Sequence, residues 1–489
     1  MPQKLAKLGF TAKERSLAQA MVCARLIEPD SELATWEWIK NSSAIGELTE
    51  EALDNVGLNP VYKIGDKLLR HKQDIEKHLF DRESKLHPGR ETLYLFDLTN
   101  FYFEGQSLGN SLAQYAKSKE KRDDCALVSL GLIVDSSGFP VTSEVFPGNI
   151  GEPGTLSELL QKMGYFDDYL PGMQPTLVMD RGIATLGNIK LLKDNNIPYI
   201  LITRGPRNAY YLDEFENNQS DTEFKAFTRN NKEIRIKEIR NADTSIVEIL
   251  CVSEGRKEKE DAMSRRWTER ASEDLASLQR SIRKGSIKQT DKIYKKIGRF
   301  EERYANLSKY FAIELIEDTA NPGCTSDMNF HESTIFDIDK NESNPLHGTY
   351  VIETTLQDKT PEDIWTLYMT LTRVEEAFRC MKSELGARPI YHHGAERTRG
   401  HLFISILAYH LLINIEYQLS RSGDVRKWST ICKILKTHQI STVIIADNKL
   451  QIHHIRLSGQ PEPCHSKIYD AMKIKPGKDL KKYIVAKRL

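Results

Sequence analysis

The sequence predicts an α/β fold: an all-helical leading segment, then three antiparallel strands in meander, then two strands added through helical crossovers. Three observations carry this expectation. Residues 10–85 show helical patterns and no strand pattern, while from residue 92 β-branched and aromatic runs bounded by Gly, Pro and Asn take over. Helical patterns then alternate with short apolar runs, the order a crossover connection needs.

The leading helices are expected at Thr11–Ile27, Ser31–Ile39, behind the start signal Pro29-Asp30-Ser31, and Pro60–Leu79. Strands are expected at Thr92–Phe103, Ala126–Val134, Val141–Phe146, Thr176–Met179 and Tyr199–Thr203, with Asp135-Ser136-Ser137-Gly138 turning the second strand into the third. Helices fill Thr155–Met163 and Leu186–Asn195. Three antiparallel strands followed by two crossover strands is the ribonuclease-H-like order, which closes with a helix packed back on the sheet. That helix does not follow Thr203. A polar stretch intervenes, with short strands at Glu233–Ile239 and Ser245–Val252, a charged helical run, and a Gly, Asn and Asp-rich run from Asn321 to Gly348. Thr349–Thr355 then reads as a strand, and Pro361 opens a long helix.

A chain of 489 residues exceeds one core, at about 100–200 residues per domain. The expected division is a helical domain at 1–88, with DNA binding as one reading, the first part of the core at 89–205, an insertion at 206–344, the second part of the core at 345–420, and a basic C-terminal region at 421–489. Charged residues make up 28% and hydrophobic ones 39%. No apolar run approaches the ~18 residues of a membrane span and no signal-peptide core opens the chain, so a cytoplasmic, non-membrane protein is expected. Seven cysteines without a C-x2-C pair argue against a zinc ribbon and a disulfide framework. Net charge is zero, but residues 255–309 hold 16 Lys/Arg against 9 Asp/Glu, and residues 471–489 hold seven against Asp479 alone. Such runs are either solvated faces or nucleic-acid contacts.

The chemistry is expected from three carboxylates. In the 361–385 helix, Ile364, Leu367, Leu371, Val374, Phe378, Met381 and Leu385 define a buried stripe. Tyr368, Glu375 and Lys382 follow one another at i, i+7 and i+14 along its edge, whereas Glu376 points away and is expected to be the solvated one. Glu375 is then either an ion-pair partner of Arg379 or a site residue. Asp97 interrupts the apolar run Leu93–Leu98, where a charge needs a hydrogen-bond network, a basic partner or a metal ion. Asp180 ends the fourth strand, where open sheets tend to place chemistry, or it caps the next helix. The first and fourth strands are neighbours in this order and the last helix crosses the same sheet, so the three can converge. Hard carboxylate ligands suit Mg²⁺ or Mn²⁺, and a pair of such ions supports phosphodiester cleavage and transfer.

These residues resemble the DDE transposases of bacterial and archaeal insertion sequences, in the branch with an insertion between the second Asp and the Glu. That branch carries a Y-x2-R-x3-E-x6-K signature. Tyr368, Glu375 and Lys382 fit its spacing, and Leu371 stands at the Arg position. Glu375–Ser383 with Arg388–His392, Asp97-Leu98-Thr99 and Pro147-Gly148-Asn149 look like the corresponding segments. The resemblance implies that Asp97, Asp180 and Glu375 are catalytic and hold two Mg²⁺ or Mn²⁺ ions. It implies that Tyr368 and Lys382 contact transposon-end DNA, with Arg379, or else Arg373, in place of the missing Arg. It also implies terminal inverted repeats and target DNA as partners, a homodimer on DNA, work at the nucleoid, and an insertion that clamps DNA. Trp267 there either stacks on a base or anchors a helix pair.

His392, His393, His453 and His454 lack acidic or cysteine partners at metal-site spacing and read as surface or DNA-proximal, and His401 as a satisfied polar group at the start of the apolar helix Leu402–Ile415. The same carboxylates would serve a nuclease or resolvase that cuts without joining. A domesticated DNA-binding protein would not need all three, and a two-carboxylate glycosidase would need an aromatic-lined cleft and does not suit the strand order.

Overall fold

The computed structural model describes the chain except residues 50, 54, 89–92, 117–123, 152–153, 163–173, 204–206, 217–223, 230, 241–244, 306, 333–345, 447, 449–450, 476–480 and 487–489. The chain forms two compact units, Met1–Leu201 with Thr366–Leu489, and Ile202–Trp365.

In the first unit β1 (Leu93–Tyr102), β2 (Leu127–Asp135) and β3 (Pro140–Pro147) form an antiparallel meander, and β4 (Thr176–Met179) and β5 (Tyr199–Ile202) extend it in parallel on the other side of β1. The order is β3-β2-β1-β4-β5, with the helices Thr155–Lys162 and Leu186–Asp194 as crossovers. This is the strand order expected from the sequence. At the β2–β3 turn, Asp135 Oδ1 accepts from the backbone N–H groups of Ser137 (2.9 Å) and Phe139 (3.0 Å), and Gly138 takes a positive φ of 93°. At the far end of β3, Gly148 is obligatory: a Cβ there would lie 2.1 Å from the Leu127 carbonyl oxygen.

Side chains alternate across the sheet. Tyr94, Phe96 and Leu98 of β1 join Leu177, Met179, Tyr199 and Leu201 beneath the crossover helices, which contribute Leu156, Leu159, Leu160 and Leu192. Leu95, Asp97, Thr99 and Phe101 therefore line the opposite face, and the helix Thr372–Ser383 packs there against β1 and β2.

The helix Ala395–Arg421 packs beside that helix and against the leading helices Ala12–Ile27 and Leu58–Arg70. Gly65 and Gly400 make the second crossing close, since a Cβ on Gly400 would sit 3.1 Å from the Gly65 carbonyl carbon. Ala395–Arg421 is long and apolar enough to cross a membrane, but 61% of its most apolar stretch is buried, as in the core helix of a folded domain. A capping box between Thr11 and Glu14 starts Ala12–Ile27, and Ser31 caps Glu32–Asn41. The single helix expected over Pro60–Leu79 is two, Leu58–Arg70 and Lys72–Leu86, meeting at His71.

The second unit holds β6 (Lys225–Arg229), β7 (Lys232–Arg240), β8 (Val247–Ser253), the hairpin β9 (Phe311–Glu317) with β10 (Thr325–Glu332), and β11 (Thr349–Thr354). β11, β8, β7 and β6 pair antiparallel in that order. The helices Glu254–Arg283 and Thr290–Arg303 pack with the hairpin through Leu275, Ile293, Phe300, Phe311 and Met328. Back in the first unit, residues 421–489, expected only as a basic region, hold an antiparallel sheet of β12 (Ile440–Ala446), β13 (Gln451–Ser458) and β14 (Lys481–Ala486).

Candidate active site

Two of the expected carboxylates lie where one strand register ends. β1 and β4 run parallel with Phe96 opposite Met179, the last pair of the register; Asp97 follows within β1, and Asp180 is the first residue past the end of β4. Alternation along β1 puts Asp97 on the face away from the crossover helices. Both carboxylates are half-buried. They are held alike: Asp97 Oδ1 accepts from the N–H of Leu98 at 2.7 Å, and Asp180 Oδ1 from the N–H of Arg181 at 2.7 Å. Asp180 does not cap the following helix. Thr185 does, its hydroxyl accepting from the N–H of Asn188 at 3.2 Å.

The helix carrying Glu375 lies over this face. The expected continuous helix 361–385 is broken into Pro361–Met369 and Thr372–Ser383. The chain tightens at the break, where the N–H groups of Thr370 and Leu371 donate to the carbonyls of Leu367 and Tyr368, three residues back. The hydroxyls of Thr370 and Thr372 donate to the carbonyls of Leu367 (2.5 Å) and Met369 (2.9 Å). The i, i+7 row therefore does not extend from Glu375 back to Tyr368, which is buried. Leu371 opens the second helix as a buried residue, which accounts for an apolar side chain there.

Along Thr372–Ser383, Val374, Ala377, Phe378, Cys380 and Met381 are buried. Lys382 reaches the sheet: its Nζ donates to Thr99 Oγ1 at 2.7 Å and lies 5.6 Å from the centre of the Phe101 ring. Thr99 is two residues beyond Asp97 on the same face. Farther on, Ile390 bonds the end of β1, its N–H donating to the Tyr102 carbonyl at 3.0 Å while its own carbonyl accepts from Glu104 at 2.9 Å. The helix thus runs in the sense of β1, and Glu375, two turns or about 10 Å before Lys382, lies toward the Asp97 end. The oxygens of Asp97, Asp180 and Glu375 do not all come within 4.8 Å of one another.

Glu375 and Glu376 exchange their expected environments. Glu375 is exposed, and Glu376 is half-buried in an ion-pair network. Arg379 grips Glu376 with two bonds (2.8 and 2.9 Å) and also reaches Glu384 at 3.2 Å, and Lys427 adds a second cation to Glu376. The Arg379 bonds, aided by Lys427 and opposed by burial, hold the Glu376 carboxyl at about 2, below the ordinary 4.5. The ion pair considered for Glu375 belongs to its neighbour. Lys427, 51 residues on, is what the sequence pattern could not reveal. Arg373 is exposed, and its Cβ lies 3.8 Å from where a Cβ on Gly138 would stand at the β2–β3 turn. Trp267, in the second unit, packs edge-on against Tyr304 with ring centres 5.7 Å apart and remains 43% exposed.

Sequence reasoning missed the partner of His392. Its Nε2 lies 3.0 Å from Glu32, which also meets His401 (2.7 Å) and Arg25 (3.1 Å), so His392 belongs to a buried cluster rather than the surface. Burial pushes Glu32 up, yet His401, His392 and Arg25 together hold it well below the ordinary range. The guanidinium at the centre makes this an ion network rather than a metal site. His401 is satisfied, as expected, although it sits within Ala395–Arg421 rather than at its start. Glu462, Cys464 and His465 also cluster, but His465 is spent on the Glu462 N–H, the Thr437 hydroxyl and the Ile434 carbonyl. His453 lies in β13 and is half-buried.

The family model of the transposase DDE domain matches residues 88–411. The chain belongs to the DDE transposase family. It is a DNA transposase, and so an enzyme. The matched span of the transposase takes in Asp97, Asp180, Glu375 and the whole second unit. None of the curated proteins matches it. Among solved structures, the piggyBac transposase synaptic complex with hairpin DNA matches at 8% identity with a TM-score of 0.40, over 87% of this chain and 70% of that one. A likeness of that size is too slight to carry an argument.

Proposed function

We propose that the transposase cuts DNA at the ends of an insertion sequence of the bacterial and archaeal type and joins them to target DNA, with Asp97, Asp180 and Glu375 as its catalytic residues on a ribonuclease-H-like core. The observation that supports this reading is the parallel register of β1 on β4: Asp97 and Asp180 each follow the last paired residues, Phe96 and Met179, and the helix that carries Glu375 packs against β1. Three carboxylates with no sulfur among them fit hard divalent cations, Mg²⁺ or Mn²⁺, and two ions are the natural complement. Bound there, the ions would polarise the scissile phosphodiester and sharpen the attacking hydroxyl.

The chain's own residues hold the site in shape. The Leu98 and Arg181 amides fix one oxygen of each Asp, which orients the other. Lys382, moored on Thr99, brings a cation to the face that carries Asp97, where a DNA phosphate would lie. With Arg379 committed to Glu376 and Glu384, Arg373 is the better replacement for the signature Arg displaced by Leu371. Tyr368 is buried, so it would support the helix break more than touch DNA. The second unit, with its basic run and Trp267, would clamp DNA carrying the terminal inverted repeats. The enzyme would act at the nucleoid, as a homodimer that pairs two ends.

The test is an in vitro reaction of the purified transposase with Mg²⁺ and duplexes bearing the element's own ends. Cleavage and joining are expected, and Asp97→Ala, Asp180→Ala and Glu375→Ala should each lose both while still binding the ends. An Asp97→Ala protein that still cleaves overturns the site. Cleavage without joining would leave a nuclease.

A further inference from the structure

The helix that carries Glu375 and Lys382 is fastened at its far end by the leading helices. Past Ser383 the chain leaves helical geometry through Gly386, whose φ is 56°, and the N–H groups of Leu385 and Ala387 close back on the carbonyls of Cys380 and Met381, each at 3.0 Å. Gly386 lies against the turn after Ala12–Ile27: a Cβ there would stand 3.0 Å from the Pro29 Cβ and 3.3 Å from the Pro29 carbonyl oxygen. The Gly386 carbonyl accepts from Arg25 Nη1 at 3.2 Å, and the Ala387 carbonyl lies 3.3 Å from His401 Nε2. Arg25 Nη1 also donates to the Asp30 carbonyl at 2.6 Å, while its Nη2 lies 3.1 Å from Glu32 and 2.8 Å from the His401 ring. His392, two residues past the point where Ile390 bonds the end of β1, joins the network through Glu32 at 3.0 Å. Arg25, Glu32 and His401 are almost wholly buried.

A buried ion pair gives little stability beyond what well-packed apolar side chains would give, because desolvation cancels most of the attraction. What a guanidinium adds is geometry, a rigid fork of donors aimed at fixed acceptors. Here one nitrogen of the fork holds a backbone carbonyl four residues beyond Lys382, and the other holds the carboxylate that meets His392. We propose that Arg25 is a positioning residue of the transposase, setting through Gly386 where the end of the Glu375 helix, and with it Lys382, lies on β1. Lys382 bonds Thr99, so the last turn of that helix is located from two sides, by Thr99 on the sheet and by Arg25 on a leading helix. A residue outside the matched span 88–411 thus sets the rate at which the core cuts. The proposal rests on the reading of Glu375 and Lys382 as site residues.

The test is single-turnover cleavage, by the full chain with Mg²⁺, of duplexes bearing the element's own ends. Arg25→Lys keeps a positive charge beside Glu32 but ends in one ammonium, which cannot span Glu32 and the Gly386 carbonyl together. Well below its melting temperature it should cut at least about tenfold more slowly, with its Kd for the ends within about twofold of wild type, because the helix end is misplaced while the protein stays folded. Amide exchange over residues 384–392 should quicken. Should that variant fold poorly, Gly386→Ala disturbs the same joint without touching a charge, and the same pattern is expected. A folded Arg25→Lys or Gly386→Ala chain that cuts at the wild-type rate, that loses rate only through weaker end binding, or that exchanges over 384–392 as wild type does overturns the proposal, since a network that only stabilises the fold lowers the melting temperature and leaves the rate alone. Glu375→Ala and Lys382→Ala keep the two readings apart. If both cut normally the site is misassigned; if both are inactive while Arg25→Lys cuts normally, only the positioning role is lost.

Discussion

Replacing Thr99 with valine removes one hydroxyl, keeps the shape and branching of the side chain, and so isolates the 2.7 Å bond from Lys382. The hydroxyl is buried and its donor is an ammonium. Hydrogen bonds to charged groups contribute about 1.5–3 kcal/mol, and the lower end applies here because the Phe101 ring, 5.6 Å away, still attracts the cation. A loss of ~1.4 kcal/mol is a factor of ten, so single-turnover cleavage of bound transposon ends by Thr99→Val should slow by about tenfold. Thr99→Ser should restore it. The decisive measurement is a double-mutant cycle with Lys382→Ala. If Thr99 works by mooring Lys382, the valine substitution changes nothing further once the lysine is gone. A Thr99→Val enzyme with the wild-type rate, or an equal loss in both backgrounds, would refute the mooring. A Lys382→Ala enzyme with full activity would instead remove Lys382 from the site.

Other perturbations test the surrounding structure. Asp180→Asn should abolish cleavage while leaving DNA affinity intact in a mobility-shift assay, since Asp180 caps no helix whose loss could unfold the domain. Glu376 titrates at about 2 when folded against an ordinary 4.5, so its stabilisation is complete above about 4.5 and fades as the pH falls toward 2. Glu376→Gln should accordingly cost about 1 kcal/mol at neutral pH, as a partly exposed ion pair does, and flatten that part of the acid-unfolding curve. Glu32→Gln strands the buried Arg25 guanidinium and should cost about 3–5 kcal/mol, visible as a large drop in melting temperature. Gly148→Ala drives a methyl group into the Leu127 carbonyl and should yield unstable or insoluble protein on expression.

Much of the sheet from β1 to β5 was legible because its signals are local. β1 to β5 and the crossover helices follow from short runs whose periodicity changes at Gly, Pro and Asn, and their order dictates that β4 lies beside β1. That Asp97 lies in β1 and Asp180 just past β4 was readable for the same reason. The environments of Glu375 and Glu376 were not: Arg379 lies within reach of either carboxylate by spacing, and the second cation on Glu376, Lys427, comes from a helix start 51 residues later. The break at Thr370–Leu371 is hidden in the sequence because the apolar spacing runs through it, while threonine hydroxyls bonded to backbone carbonyls leave little trace in a hydropathy pattern. β10 reads Thr-Ser-Asp-Met-Asn-Phe-His-Glu, a polar run that becomes a strand only when β9 pairs with it. β12 to β14 lay behind the basic character of the tail. His392 found its carboxylate in Glu32, on a leading helix far away in sequence and beyond any spacing rule.

The close crossing of Gly65 with Gly400 separates two kinds of boundary. The family resemblance starts at residue 88, which marks where shared ancestry becomes detectable. Folding draws no line there. Two backbones meet without side chains between them, and Arg25 reaches from the leading helices to the carbonyl of Gly386 and the ring of His401. A chain trimmed to the matched span would end inside Ala395–Arg421, strip the cover from the part that remains, and leave Glu32's two histidines without their carboxylate. The smallest piece of this enzyme able to fold is therefore larger than the smallest piece that identifies it.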